Sequence, residues 1–207
     1  MNDLDHPIFS ESLRRIRHWL GDTGLRGYER DVLERLVHSS GDPSLASDLR
    51  FSAGACGRGA AALAGGAPIL TDTAMAAAAV TPMARRTFLN PVHSVLAWAP
   101  PVAPEDGTRA AEGMARALAL HPGAVVLIGS APTALERLLA LMGSGAVSPP
   151  ALVIGMPVGF VGVAESKRRL ASSGLPQIRL EGSRGGAALV AAVVNALLRR
   201  AWLQRDP

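Results

Sequence analysis

The second half of the chain alternates short apolar segments with helical patterns, and this alternation constrains the fold more than any other feature. Runs typical of buried strands occupy residues 123–128, 151–154 and 177–180, and a segment with helical periodicity follows each of the first two. Parallel strands need long crossover connections, usually helices, and these cover the faces of the sheet. The sequence therefore predicts an α/β fold with three layers, in which helices flank a mostly parallel sheet.

The first half predicts an N-terminal helical segment followed by shorter elements. Two helices are predicted over residues 7–20 and 28–39, where apolar side chains recur on one face. A length of 207 residues suits one domain with a full core, so a single domain over residues 1–207 is expected. The remaining predicted helices are 55–63, 73–80, 108–120, 134–141, 164–172 and a long one from the glycine pair 185–186 to 200; the remaining predicted strands are a short one ending near 72 and one over 92–97.

Charge and cysteine content exclude several classes of protein. Arginine supplies nearly all the positive charge, since Lys167 is the only lysine, and the net charge is a modest +4. Basic residues do not cluster with aromatic ones, so nucleic acid is not an expected partner. A single cysteine, Cys56, rules out an internal disulfide framework and a cysteine-based zinc site. The polar N-terminus and the lack of a long uninterrupted apolar run predict a cytoplasmic protein that does not bind membranes.

Three predicted loops between a strand and a helix have a similar composition that includes glycine, at residues 129–133, 155–159 and 182–186. Loops that follow parallel strands lie at the same edge of a sheet, where ligands collect. Their N–H groups attract anions, so either phosphate or carboxylate is a candidate ligand. Tight turns in a protein rich in alanine and glycine explain any one loop equally well. Neither the phosphate-binding loop motif nor a dinucleotide-binding motif is present.

Individual side chains leave several interpretations open. His38 ends a predicted helix, where it can exchange a proton at neutral pH or simply stabilise the helix dipole, and Arg35 lies one turn earlier on the same face. Asp72 follows a strand and suits an acid, a ligand group or a helix cap. Ser166 and Lys167 are adjacent in a helix and point about 100° apart, so they do not form a dyad. No pair of histidines has the spacing of a metal site.

Taken together, these segments resemble the precorrin-8X methylmutase family of cobalamin biosynthesis. The run 155–167, Gly-Met-Pro-Val-Gly-Phe-Val-Gly-Val-Ala-Glu-Ser-Lys, is highly specific to that family. Residues 36–41, 66–72 and 129–135 and the glycine pair 185–186 match it in the family's order. The resemblance covers nearly the whole chain.

The resemblance implies an isomerase without a cofactor. Such an enzyme moves a methyl group from ring carbon 11 to ring carbon 12 of precorrin-8X, or of cobalt-precorrin-8, giving hydrogenobyrinate or cobyrinate. The family's proton-handling histidine falls on His38, and a tetrapyrrole fringed with carboxylates suits its arginines. Family members are homodimers with sites near the subunit interface. The implied substrate-binding positions, together with those of the loops, are Ser12, Arg35, Asp72, Thr108, Arg109, Ser130, Thr133, Gly155, Gly159, Glu165, Ser166 and Lys167.

The chain also departs from the family pattern. Ser130 stands where the family usually has asparagine, Ser183 replaces an arginine in a Gly-Arg-x-Gly-Gly-Ser run, and Ala187 replaces its serine. Arg184, one position later, is a candidate replacement for that arginine. Two alternatives therefore stay open, namely a family member that binds the corrin pigment without turnover and an unrelated phosphate-binding α/β enzyme that uses the three loops.

Overall fold

A mixed sheet of six strands forms the centre of the computed structural model, which describes residues 4–205. The strand order is β1-β6-β5-β4-β2-β3, and only β1 runs antiparallel to its neighbour, β6. The α/β fold with a mostly parallel sheet is thereby confirmed. The strands are β1 Leu49–Phe51, β2 Ile69–Thr71, β3 Val92–Ser94, β4 Val125–Ile128, β5 Leu152–Gly155 and β6 Gln177–Leu180.

Helices cover both faces of this sheet and make the three layers that the alternation predicts. One hydrophobic cluster joins the sheet to α1, α2, α3, α4 and α8, and a second joins it to α5, α6 and α7. The helices are α1 Pro7–Leu20, α2 Gly27–Ser40, α3 Ala55–Ala64, α4 Ala74–Arg86, α5 Arg109–Leu120, α6 Pro132–Ser144, α7 Val163–Ala171 and α8 Ala187–Gln204. The first and last residues of the predicted domain, 1–3 and 206–207, lie outside the described residues.

The helix α8 lies at the centre of the larger cluster, because it is apolar on nearly every side. Its residues Val190 to Leu198 are all buried. By length and composition α8 is apolar enough to cross a membrane, but 61% of it is buried inside the protein, which is typical of a core helix. It packs against α2, α3 and α4. α2 runs beside α8 in the opposite direction, since Asp31 near its start bonds Arg200 near the end of α8.

Several predicted elements differ from the observed ones at their ends, among them α6, α8 and β4, and two of the differences have a clear local reason. The predicted helix 73–80 continues to Arg86 through Pro82. A proline removes one N–H from the helix, but Ala78, whose carbonyl loses its donor, is exposed to water. The predicted strand 92–97 stops at Ser94, whose Oγ accepts from the N–H of Leu96 and starts a 3-10 turn. The edge strand β1 was not predicted, because Leu-Arg-Phe is not an apolar run and is too short to show an alternation.

Candidate functional site

The carboxyl ends of the parallel strands carry the loops that the sequence singles out, and Asp72 holds the first of them, residues 129–133. Asp72 follows β2, and its Oδ2 accepts from the N–H groups of Gly129 at 3.1 Å, Ser130 at 2.6 Å and Ala131 at 2.8 Å. The side chain is only 1% exposed. Burial raises the pKa of Asp72, and the three N–H donors oppose this by stabilising the carboxylate. Asp72 therefore fixes the backbone conformation of the loop after β4.

Backbone hydrogen bonds also join the loops after β4, β5 and β6. Val158 donates to Gly129, Gly159 donates to Ser183 at 3.0 Å, and the N–H of Gly186 reaches the carbonyl of Met156 at 2.9 Å. These contacts, with those of Asp72, use N–H groups that an anion would need. The phosphate-binding alternative loses much of its physical basis, because the donors it invokes already have protein acceptors.

Two of these glycines are required by the close approach of backbones. A Cβ on Gly185 would lie 1.9 Å from the carbonyl oxygen of Met156, and a Cβ on Gly129 would lie 2.7 Å from the amide nitrogen of Ala187. The strand Leu152–Gly155 likewise ends in a glycine, where a Cβ would meet Leu170 at 2.4 Å. The binding role predicted for Gly155 and Gly159 stays a prediction; the packing of the loops is what the structure shows of them.

His38 lies in the last turn of α2, at this same edge of the sheet, because α2 ends beside the loop after β6. Its Nδ1 forms a hydrogen bond of 2.8 Å with the hydroxyl of Ser12, which lies on α1. The ring of Phe9, one turn before Ser12, meets the imidazole edge-on at 5.0 Å. These contacts orient the ring, and its Nε2 has no hydrogen-bond partner among residues 4–205. Burial lowers the pKa of His38, and the charge of Arg35 lowers it further.

Arg35 is a half-buried cation that has no counter-ion in the described part of the chain. Within residues 4–205 its guanidinium forms no hydrogen bond or ion pair, and its Nε is buried without a partner. It lies over the ring of Phe9, with Cζ at 4.5 Å from the ring centre. Burial, and then the charge of Arg199, lower the pKa of Arg35. Asp5, whose negative charge opposes this shift, already bonds Arg199 at 2.7 Å. Arg35 is therefore suited to receive a carboxylate from a ligand.

Four further predicted residues lie where α5 and α6 begin. The hydroxyls of Thr108 and Thr133 lie 2.8 Å apart, and Thr108 also caps α5. Arg109 is exposed and donates through Nε to the carbonyl of Pro100 at 2.9 Å. Ser130 is exposed on the loop that Asp72 holds. These side chains line the edge of the sheet beyond β4 with polar groups.

The three residues at the end of the run 155–167 lie in the first turns of α7. Glu165 is exposed and pairs with Arg168. Ser166 is buried and donates to the carbonyl of Val163 at 2.9 Å. Lys167 is 2% exposed, and its ammonium group donates to the carbonyls of Gly182 and Arg184. Burial lowers the pKa of Lys167 to about 8. Lys167 therefore braces the loop after β6, and its predicted contact with substrate stays a prediction.

Sequence reasoning missed the part that Phe9 plays, and it did not show that the side chain of Arg184 already has protein partners. Phe9 precedes Ser12 by three residues on α1, so the helical period was a usable signal. All three guanidinium nitrogens of Arg184 donate to protein acceptors, among them Asp42 and Asp48. Arg184 therefore does not present free donors as a replacement for the arginine absent from the family's run.

The surface around His38 is open. A shallow groove of about 530 Å³ runs along α1, lined by Pro7, Ile8, Glu11, Ser12 and Arg15. Apolar side chains are also exposed at this edge of the sheet, where Phe160 is 94% and Val161 87% accessible. In the part of the chain that the structure describes, no three His, Cys, Asp or Glu side chains are placed to share a metal ion.

Comparisons with known proteins agree with this architecture. The family model described as precorrin-8X methylmutase matches residues 7–200. A precorrin-8X methylmutase of Pseudomonas aeruginosa is 44% identical, over 92% of this chain and 93% of its own. A cobalt-precorrin-8 methylmutase of Synechocystis is 38% identical, over 98% and 99% of the two chains. The crystal structure of a precorrin-8X methylmutase from Thermus thermophilus superimposes with a TM-score of 0.85, is 39% identical, and aligns with 95% of this chain and 98% of its own.

Proposed function

Because the chain belongs to the precorrin-8X methylmutase family, we propose that it catalyses this family's reaction with His38 as the proton-handling residue. The family is one of isomerases in cobalamin biosynthesis, and its reaction moves a methyl group from ring carbon 11 to ring carbon 12, giving hydrogenobyrinate. The observation that carries the role of His38 is the hydrogen bond between its Nδ1 and Ser12, since it orients the ring and leaves one nitrogen for substrate.

The methyl migration needs one proton for the macrocycle and a donor held in a fixed orientation toward it. Protonation of the conjugated macrocycle draws electrons toward the protonated position, which lets the methyl group migrate between adjacent ring carbons. The proton then returns, so that substrate and product have the same mass. A positioned histidine with a pKa near the working pH is suited to both transfers. Ser12 fixes which nitrogen of His38 faces the substrate.

We assign the binding of substrate carboxylates to the two arginines of the predicted site. Arg35 offers a guanidinium that has no hydrogen-bond or ion-pair partner among residues 4–205, and Arg109 is exposed and bonds the carbonyl of Pro100 through its Nε. Guanidinium groups bind carboxylates through paired hydrogen bonds, so they suit a macrocycle with acetate and propionate arms. Thr108, Ser130 and Thr133 add hydroxyl groups at the same edge of the sheet.

We also propose that the enzyme is a cytoplasmic homodimer whose chain forms one domain over residues 1–207. Support for the dimer comes from His38, which is exposed in the part of the single chain that the structure describes. Proton transfer to a macrocycle is favoured in a site that excludes water. A second copy would supply the missing wall and would cover side chains such as Phe160. Light scattering should then give twice the chain mass of 21.4 kDa, and a monomer would contradict the proposal.

The experiment that tests the function is incubation of the purified protein with precorrin-8X, and in parallel with cobalt-precorrin-8, while the visible spectrum is recorded. Migration of the methyl group alters the conjugation, so a time-dependent spectral change at constant mass supports the proposal. An immediate change without later conversion identifies a pigment-binding protein instead. Protection against heating by inorganic phosphate, without any response to either tetrapyrrole, identifies the phosphate-binding alternative.

Replacement of Arg35 tests both its charge and its contact with substrate. In Arg35→Met the positive charge that lowers the pKa of His38 is gone, so this pKa rises. Protonated His38 then persists to higher pH, and the alkaline fall in turnover moves to higher pH. We also expect KM to rise about tenfold through loss of one charge-assisted contact. Kinetics across a pH series measure both effects, with Arg85→Met, at an exposed position of α4, as the control. An unshifted profile would show that Arg35 does not act on His38.

A further inference from the structure

The loop after β6, residues 182–186, is tied to the segment that follows α2. Arg184 Nη1 donates to Asp42 Oδ2 at 2.7 Å and to Ser44 Oγ at 2.8 Å, and Arg184 Nε donates to Asp48 Oδ2 at 3.0 Å. The hydrogen bond with Asp48 is the main reason that the pKa of Arg184 is raised. One side chain thus joins two segments that lie far apart in the sequence.

Lys167 also holds this loop. Its Nζ donates to the carbonyl of Gly182 at 2.9 Å and to that of Arg184 at 2.6 Å, and the side chain is 2% exposed. A third bond, from the N–H of Gly159 to the carbonyl of Ser183 at 3.0 Å, secures the residue between them. The backbone that carries Arg184 is therefore fixed at three successive residues, so its guanidinium is a firm attachment point.

The segment that Arg184 binds, residues 42–48, begins four residues after His38. Gly41 ends α2 in the left-handed conformation, with φ of 68°. The Oγ of Ser40 accepts from the N–H of Asp42 at 3.0 Å and donates to the carbonyl of Leu36 at 2.9 Å. Hydrogen bonds therefore run without a break from Asp42 back into the last helical turn, where His38 lies.

We propose that Arg184, held by Lys167, is a positioning residue for His38. The last turn of a helix lacks part of its hydrogen bonding and opens more readily than the rest. Arg184 fixes the segment directly after that turn, so it limits the movement of the histidine. Exposed ion pairs contribute little to overall stability, but a small displacement of a catalytic group lowers the rate strongly. The inference rests on the proposed role of His38 and adds residues that bear on it from another part of the fold.

The first test is Arg184→Met, compared with Arg26→Met, which removes an exposed arginine–aspartate pair on the turn before α2. In Arg184→Met we expect kcat to fall about tenfold, with KM within about twofold and Tm nearly unchanged. Amide hydrogen exchange at residues 38–42 should become about tenfold faster. Arg184→Lys keeps one charge-assisted hydrogen bond and should recover part of kcat. Unchanged exchange together with unchanged kcat would overturn the proposal, as would an equal effect of the control.

The second test combines Arg184→Met with His38→Ala. If Arg184 acts through His38, it has no further effect on the turnover that remains without the imidazole. A rise in KM of equal size in both backgrounds would mean direct contact with substrate and would overturn the proposal. The exchange measurement and the NMR signals of the His38 ring need no substrate. If the native protein converts neither tetrapyrrole, the proposed function fails, while altered His38 signals in Arg184→Met would still support the positioning.

Discussion

We expect His38→Ala to lower turnover of precorrin-8X by about 10²–10⁴-fold, because a positioned acid or base contributes on that order to a rate. Binding should persist, since Arg35 and Arg109 do not depend on the imidazole. The fold should persist as well. His38 is exposed, and its side chain contacts the hydroxyl of Ser12 and the edge of Phe9, so its loss should change the free energy of unfolding by less than about 1 kcal/mol.

The measurement is single-turnover absorbance at fixed pH, with thermal unfolding of the same samples. His18→Ala is a matched control, since His18 is also exposed and lies on the neighbouring helix α1. The immediate spectral perturbation by substrate should survive in His38→Ala while the later conversion disappears. Conversion at the native rate in this variant would show that another group handles the proton.

The second large effect is a loss of stability, which we expect when Asp72 is replaced. In Asp72→Ala the N–H groups of Gly129, Ser130 and Ala131 lose their acceptor. An unsatisfied buried donor costs about 1–3 kcal/mol, and water can reach the two donors that are only partly buried. A loss of about 3 kcal/mol is therefore expected, which lowers Tm by roughly 6–12 °C in a chain of this length.

Turnover should fall too, because the loop that Asp72 holds carries Ser130 and leads to Thr133. Asp72→Asn keeps one acceptor oxygen, so it should be less damaging than Asp72→Ala. Asp106→Asn, in the exposed loop before α5, controls for the loss of a charge alone. Scanning calorimetry with kinetics on each variant checks the prediction. An Asp72→Ala protein with native Tm would mean that the three N–H groups find other acceptors.

Much of the secondary structure could be predicted because its signals are local. The helices α1, α2 and α3 and the strand β6 lie within one residue of their predicted bounds. In each, the apolar period or a flanking turn residue lies within a few positions of the end it marks. Two features were not visible in that way. The strand β1 exists because β6 offers it an edge, and α4 continues through Pro82 because water can satisfy the carbonyl that the proline leaves free.

The candidate site shows the same difference between residues that local patterns indicate and contacts that depend on packing. Resemblance to a known family pointed to His38, Ser12 and Arg35, and the helical period places Arg35 on the face of His38. The contact between Ser12 and His38 joins residues 26 positions apart, and it depends on how α1 packs on α2. Lys167 shows the limit most clearly. The packing of α7 directs its ammonium group to two carbonyls of the loop after β6, and no local sequence pattern gives this contact; its predicted contact with substrate stays a prediction.

By itself, the sequence determined the alternation of strands and helices, the edge of the sheet at which the loops lie, and the family. These follow from periods and motifs that need only neighbouring residues. The tertiary structure alone decided which side chains hold that edge together, since Asp72 meets a loop 57 to 59 positions away and Arg184 meets residues more than 130 positions earlier. Such contacts arise from the packing of whole helices and strands on one core, and no short stretch of sequence contains the geometry that brings their ends together.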